Sequence, residues 1–207
     1  MTAEPAISPT ATIHPGATVP RRGPSLTPVG YGLSAGAVAF ACGLVGSLVL
    51  DVGPMYSHVG GLLFQAGLWG LLSALFATRA TGDGRFGRGL LWTVAALLAA
   101  ATLSSVLAIT TPVAVHGSTW FLLLDACWPL SMVGMAVTGV TIAVVGRYRG
   151  LLRYWPMLAE SWALVTVPTV GLAGPVVGGT VGAVHVLLGY GVLGLLLAHR
   201  PEQTRAV

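Results

Sequence analysis

Gln65, Asp125 and His185 are polar side chains set inside long apolar runs, where an ionisable group is costly and so marks a candidate functional site. A carboxylate and an imidazole facing each other across two helices, with an amide as hydrogen-bond donor, could clasp the helices, hold a proton or floor a pocket for a small solute. Imidazole is the side chain that changes charge near physiological pH, which suits the second of these roles. His58, His116 and His185, with Asp51 or Asp125, offer a different chemistry, because His nitrogen and carboxylate oxygen are ligands of tetrahedral zinc. On that alternative reading the chain is a metal-dependent membrane enzyme. No two of these ligands have the short helical spacing of an HExxH motif, so only the fold could gather them. Glu160 is the remaining carboxylate within a run. Arg153 lies two turns before it, within reach of a snorkelling side chain, and a structural ion pair at the membrane boundary is expected. A coupling carboxylate of a transporter is the sharper reading of the same residue.

The elements that carry these residues are set by the arginines. All ten basic residues are arginine, and they fall into four groups separated by apolar runs: Arg21 and Arg22; Arg79, Arg85 and Arg88; Arg147, Arg149 and Arg153; Arg200 and Arg205. Cytoplasmic loops of membrane proteins are enriched in basic residues, and here only every second connection is basic. The pattern predicts an all-α polytopic protein, a bundle of six transmembrane helices with both termini inside. The spans run at about 31–50, 59–78, 89–110, 119–145, 154–173 and 179–198, since ~20 residues rising ~1.5 Å each cross ~30 Å of hydrocarbon. Measured inward at that rise, Gln65, Asp125 and His185 share a layer roughly 8–10 Å below the outer surface, with Asp51, His58 and His116 at the rim above them.

Composition excludes other classes. The 207 residues are 55% hydrophobic and 8% charged, with a mean hydropathy of +0.84, too little polar surface for a soluble globule of this size. The net charge of +4 belongs to loops that orient helices and meet anionic head groups, not to a nucleic-acid surface. Residues 1–28 hold six prolines among Ala, Ser and Thr and are expected to form a disordered cytoplasmic tail. The membrane domain then covers 29–199 and a short cytoplasmic tail 200–207. Gly32 with Gly36, and Gly174 with Gly178 and Gly182, have the spacing that lets helices approach closely. They predict packing within one bundle, with a homo-oligomer or a partner subunit as the further possibility. Pro129 and Pro168 should bend the spans that contain them.

Enzyme templates fail on their diagnostic residues. An intramembrane serine protease needs a GxSG segment, whereas the fourth span offers Ser131 within PLSMVG. A six-span haem protein needs embedded histidine pairs at both membrane faces, and this chain has none on the cytoplasmic side. Cys42 and Cys127 lie at similar depth without a CxxC, so they read as small apolar residues. No cofactor is expected. The segments WPLSMVGM (128–135) and RGLLRYWPMLAESWALVTVPT (149–169) resemble small multispanning actinobacterial membrane proteins of no assigned activity. That resemblance implies a bacterial inner membrane and supplies no chemistry. The expectation is a non-enzymatic membrane component, either with an outward polar pocket or packed against partner subunits.

Overall fold

Proline is tolerated as the first residue of a helix, where its missing N–H would have had no partner, but it drives the residue before it out of helical geometry. In the computed structural model, which describes residues 25–48, 50 and 53–204, this shapes the chain twice. Gly53 (φ 93°, ψ 159°) precedes Pro54, which opens α2 (Pro54–Thr78) after α1 (Thr27–Leu48). Gly174 (φ 84°, ψ 169°) precedes Pro175 and divides α7 (Trp162–Val186) into two arms. Both glycines occupy a backbone region that side-chain-bearing residues almost never adopt.

Between these corners lie α3 (Arg85–Thr110), α4 (Thr119–Asp125), α5 (Cys127–Val145) and α6 (Leu151–Glu160). After α7 come a π-helical turn (Leu187–Gly191), α8 (Val192–His199) and a 3-10 turn (Pro201–Thr204). No strand occurs among the described residues. Among the described residues five helical stretches are long and apolar enough to cross a membrane, which fits a multi-pass membrane protein. The fifth, Leu151–His199, has 49 residues and would measure roughly 74 Å if straight, more than twice the ~30 Å of hydrocarbon. It is not straight. Gly178 meets Val170, Gly182 meets Thr166, His185 meets Ser161 and Gly189 meets Ala159, the pairing of an antiparallel hairpin folded at Gly174.

The helices approach at glycines. On α1, Gly36 and Gly43, and on α2, Gly60 and Gly67, alternate along one antiparallel seam. A Cβ at Gly60 would lie 2.6 Å from the Ala39 carbonyl oxygen, and one at Gly43 would lie 2.7 Å from that of Tyr56. Gly32, by contrast, has nothing within 4 Å of the position of a Cβ, so of the expected pair only Gly36 packs on the neighbouring helix. The fourth span is interrupted at Ala126, just before Pro129, whose absent N–H leaves the Asp125 carbonyl without its helical partner.

Two described connections, the start of α1 and the end of α8 collect at one end. Arg147 pairs with Asp83, and the Tyr148 hydroxyl shares a 2.8 Å hydrogen bond with Thr78, tying the α5–α6 loop to the α2–α3 loop. The Arg149 N–H donates to the Gln203 carbonyl at 2.8 Å, and the Tyr31 hydroxyl lies 3.2 Å from His199 Nε2, which brings the start of α1 and the end of α8 to the same place. Every described arginine group therefore lies at this end. Between the two ends the surface is apolar, with Leu172 90%, Val144 76% and Leu164 73% exposed, as suits a lipid-facing wall rather than a water-facing one. Arg21, Arg22, Asp51, Arg205 and most of the 1–28 tail lie outside the described residues.

Candidate functional site: a buried glutamate and tyrosine

The two arms of the hairpin are each irregular at the same level. Ser161 (φ −76°, ψ −1°) separates α6 from α7, and its hydroxyl donates back to the Leu158 carbonyl at 2.8 Å, a local bond that bends helices. Opposite it, Leu187–Gly191 widens into a π-turn, a distortion frequent at functional sites. The Trp155 indole N–H donates to the Gly189 carbonyl of that turn at 3.0 Å. These distortions put Glu160, the last residue of α6, against Tyr190 in the π-turn.

Both side chains are in the core, Glu160 3% and Tyr190 0% exposed. The Tyr190 hydroxyl donates to Glu160 Oε2. An aromatic cluster closes around them: the Phe64 and Tyr190 rings meet edge to face at 4.8 Å, and Phe40 stacks on Phe64 at 5.2 Å. Trp128 and Trp162 present ring edges to Phe40 at 6.4 and 6.3 Å. Among the described residues the ion pairs are Arg79–Asp83 and Arg147–Asp83, so no cation offsets Glu160. A carboxyl and a phenol in contact, screened from water by aromatic rings, form a unit that can hold or pass a proton.

Along the hairpin seam the polar groups continue toward Gly174. His185 is half-buried, with Nε2 at 3.3 Å from Ser161 Oγ and 3.1 Å from the Leu158 carbonyl. Beyond it Thr166 is buried, and its Oγ1 has no hydrogen-bond partner. Tyr190, Glu160, Ser161, His185 and Thr166 thus form a file of polar side chains inside an apolar hairpin.

The expected outer layer is assembled differently. Gln65 is 2% exposed and donates to Ser105 Oγ at 2.8 Å, while its Oε1 is unpartnered. Asp125 is exposed and accepts a 3.2 Å hydrogen bond from Ser104. Consecutive serines of α3 therefore bring Gln65 and Asp125 to one level. His185 is not with them, because α4 packs on α3 and α5 whereas the arm carrying His185 packs on α1 and α6. The Asp125–His185 contact is not formed.

Arg153 does not pair with Glu160 either. Its Nε donates to the Ala143 carbonyl at 2.9 Å, its guanidinium lies 5.2 Å over the Tyr154 ring, and it so covers the carbonyl end of α5. Glu160 faces the bundle core and Arg153 turns back toward the loop. The histidines do not converge on a metal. His58 lies near the start of α2, and His116 stacks on Phe121 at 4.7 Å beside Thr111. Among the described residues no group of three or more His, Cys, Asp or Glu side chains could hold an ion. Asp51 lies outside them. Cys42 and Cys127 are free thiols.

Tyr190 is the site residue that the sequence reading passed over. The available signal was depth: Glu160 and Tyr190 each lie roughly 14 Å along the helix from its arginine-rich end. In comparisons with protein-family models, curated proteins and solved structures, the chain matches none.

Proposed function

We propose that the chain is a six-crossing, non-enzymatic protein of a bacterial inner membrane, with both termini cytoplasmic, whose working centre is the Glu160–Tyr190 pair. The fold-back at Gly174 supports counting the last helical stretch as two crossings. The gathering of the described arginines at one end supports a cytoplasmic placement of that end. The observation that carries the functional reading is a carboxyl buried within a span, hydrogen-bonded to one phenol and lacking a cation. An embedded carboxyl of this kind is the usual element of a proton relay or of a proton-coupled solute site. Ser161, His185 and Thr166 extend the relay toward the outer surface, so the polar route runs through the hairpin rather than through an Asp125–His185 pocket.

Infrared difference spectroscopy of the purified protein across a pH jump tests this reading. A carboxyl band should appear in the wild type, vanish in Glu160→Gln and move in Tyr190→Phe. An unchanged spectrum in Glu160→Gln would remove the proposal. A packing role has separate support in an open groove of about 500 Å³ between α1 and α2, lined by Gly32, Ala35, Ala39, Ala66 and Gly70. A second copy or a partner subunit seated there should be captured by disulfide crosslinking through Gly32→Cys.

A further inference from the structure

The turn joining α2 to α3 encloses a cavity of about 410 Å³ whose wall is apolar on one side, Phe76 and Leu91, and cationic on the other, Arg79 and Arg88. Three features there point to an anion. Arg88 is exposed, lines the cavity, and has no side-chain hydrogen-bond or ion-pair partner among the described residues. The cavity lies at the N-terminus of α3, a 26-residue helix preceded by Gly84 and without a side-chain cap. Its first-turn N–H groups and positive dipole end thus await an acceptor. Independently of the helix end, Thr81 lines the same cavity, is 4% exposed, and its buried Oγ1 has no hydrogen-bond partner. That hydroxyl turns toward the first turn of α3, where a Cβ on Gly87 would lie only 2.9 Å from it. A buried hydroxyl left without a partner is costly unless something completes it.

Charge at the cavity favours a negative ligand. Asp83 is the one carboxylate on its wall, and it is engaged from two sides by Arg79 at 3.0 Å and by Arg147 from the α5–α6 loop. Arg79, Arg88 and Arg147 against Asp83 leave the surroundings net positive. The apolar wall adds a second requirement, since inorganic phosphate alone would leave the partly buried Phe76 ring unused. The edge of Trp92, 65% exposed and 5.2 Å from Phe76, continues that wall along α3 toward the apolar belt.

We infer that the α2–α3 turn is a phosphate-binding site, with Arg88, Thr81 and the N-terminus of α3 holding the phosphoryl oxygens. Phe76, continued by Trp92, takes the start of an acyl chain, which makes the phosphate of an anionic phospholipid the fitting source. The site is independent of the Glu160–Tyr190 reading and lies at the opposite end of α2 from the Gly53 corner.

Native mass spectrometry of the full-length detergent-purified chain tests it, with dioleoyl-phosphatidylglycerol and inorganic phosphate as separate probes. Retention of one lipid molecule that Arg88→Gln and Thr81→Val each weaken by at least about tenfold establishes the lipid form. Saturable displacement of that lipid by inorganic phosphate, lost in the same variants, assigns the site to phosphate as such. Retention unchanged in both variants, or no retention of either probe, overturns the inference. Arg88 is exposed and touches no partner, so Arg88→Gln should keep the wild-type melting temperature, which separates lost binding from lost folding.

Discussion

Replacing Gly174 by alanine isolates the cost of the hairpin corner from every other effect of substitution. No atom lies within 4 Å of the position its Cβ would take, so a methyl group there meets no neighbour. What changes is the backbone: φ 84° and ψ 169° define a region open essentially to glycine, and holding another residue there costs about 1–3 kcal/mol. Gly171, three residues earlier in the same arm, supplies the control. It also has open space around its Cβ position but ordinary helical geometry. There alanine should stabilise by about 0.5–1 kcal/mol, because glycine loses more freedom than alanine on entering a helix. Two chemically identical substitutions close together should therefore move stability in opposite directions, by a total of about 1.5–4 kcal/mol. Equilibrium unfolding of the purified protein in mixed micelles, followed by tryptophan fluorescence, would read both. If Gly174→Ala is as stable as Gly171→Ala, the corner is not where the chain reverses, and the juxtaposition of Glu160 with Tyr190 fails with it.

At the α1–α2 seam, Gly60→Ala puts a methyl group 2.6 Å from the Ala39 carbonyl oxygen. It should cost about 1–3 kcal/mol by forcing the helices apart, while Gly32→Ala, with open space at its Cβ position inside α1, should stabilise by about 0.5–1 kcal/mol. Hydrogen bonds from Arg79 and Arg147 hold the Asp83 carboxyl below its ordinary value of 3.8. Its stabilisation is present above that value and is lost as pH falls through the lower folded value. Wild type and Asp83→Asn should accordingly differ in melting temperature at neutral pH and converge in acid; a gap that persists at pH 2 would refute the pairing. Burial pushes the Tyr148 phenol up to about 12, against a hydrogen bond to Thr78 that acts the other way. The neutral phenol is thus favoured by the fold, and its contribution should fade between pH ~10 and ~12. Tyr148→Phe should cost about 0.5–1.5 kcal/mol at neutral pH and remove one late tyrosinate step from an ultraviolet titration.

Depth along the chain was legible in the sequence because hydrocarbon thickness and arginine placement both act on a one-dimensional coordinate. The helices fall where the apolar runs do, and the described basic loops share one end. Two of the early helix starts share a cause. Hydropathy places the second span at 59–78, yet α2 begins at Pro54, and it places the sixth at 179–198, yet helical geometry resumes at Pro175. A Gly–Pro pair looks like a loop in composition, but stereochemically the proline is already the first residue of the returning helix.

Direction around each helix was not legible, and the candidate site turned on it. In a soluble bundle the polar face of a helix marks the outside, so its azimuth can be read from periodicity. Here positions facing lipid, such as Leu172, and positions facing the core, such as Leu193, are the same kind of residue. Nothing in the sequence distinguishes inward from outward. Asp125 and His185 could be given a depth but not neighbours, and they proved to lie on helices that do not meet. For Glu160 the sequence offers Arg153 as the nearest cation, because a buried carboxyl demands a partner. Its demand is met instead by Tyr190, brought across the hairpin from 30 positions away. Two local distortions, a serine-bent helix and a π-turn rich in glycine, are needed before those side chains can touch. Both follow from residues in plain view, Ser161 within ESW and Gly189 and Gly191 flanking Tyr190, but each has meaning only once the corner at Gly174 sets the two arms in register.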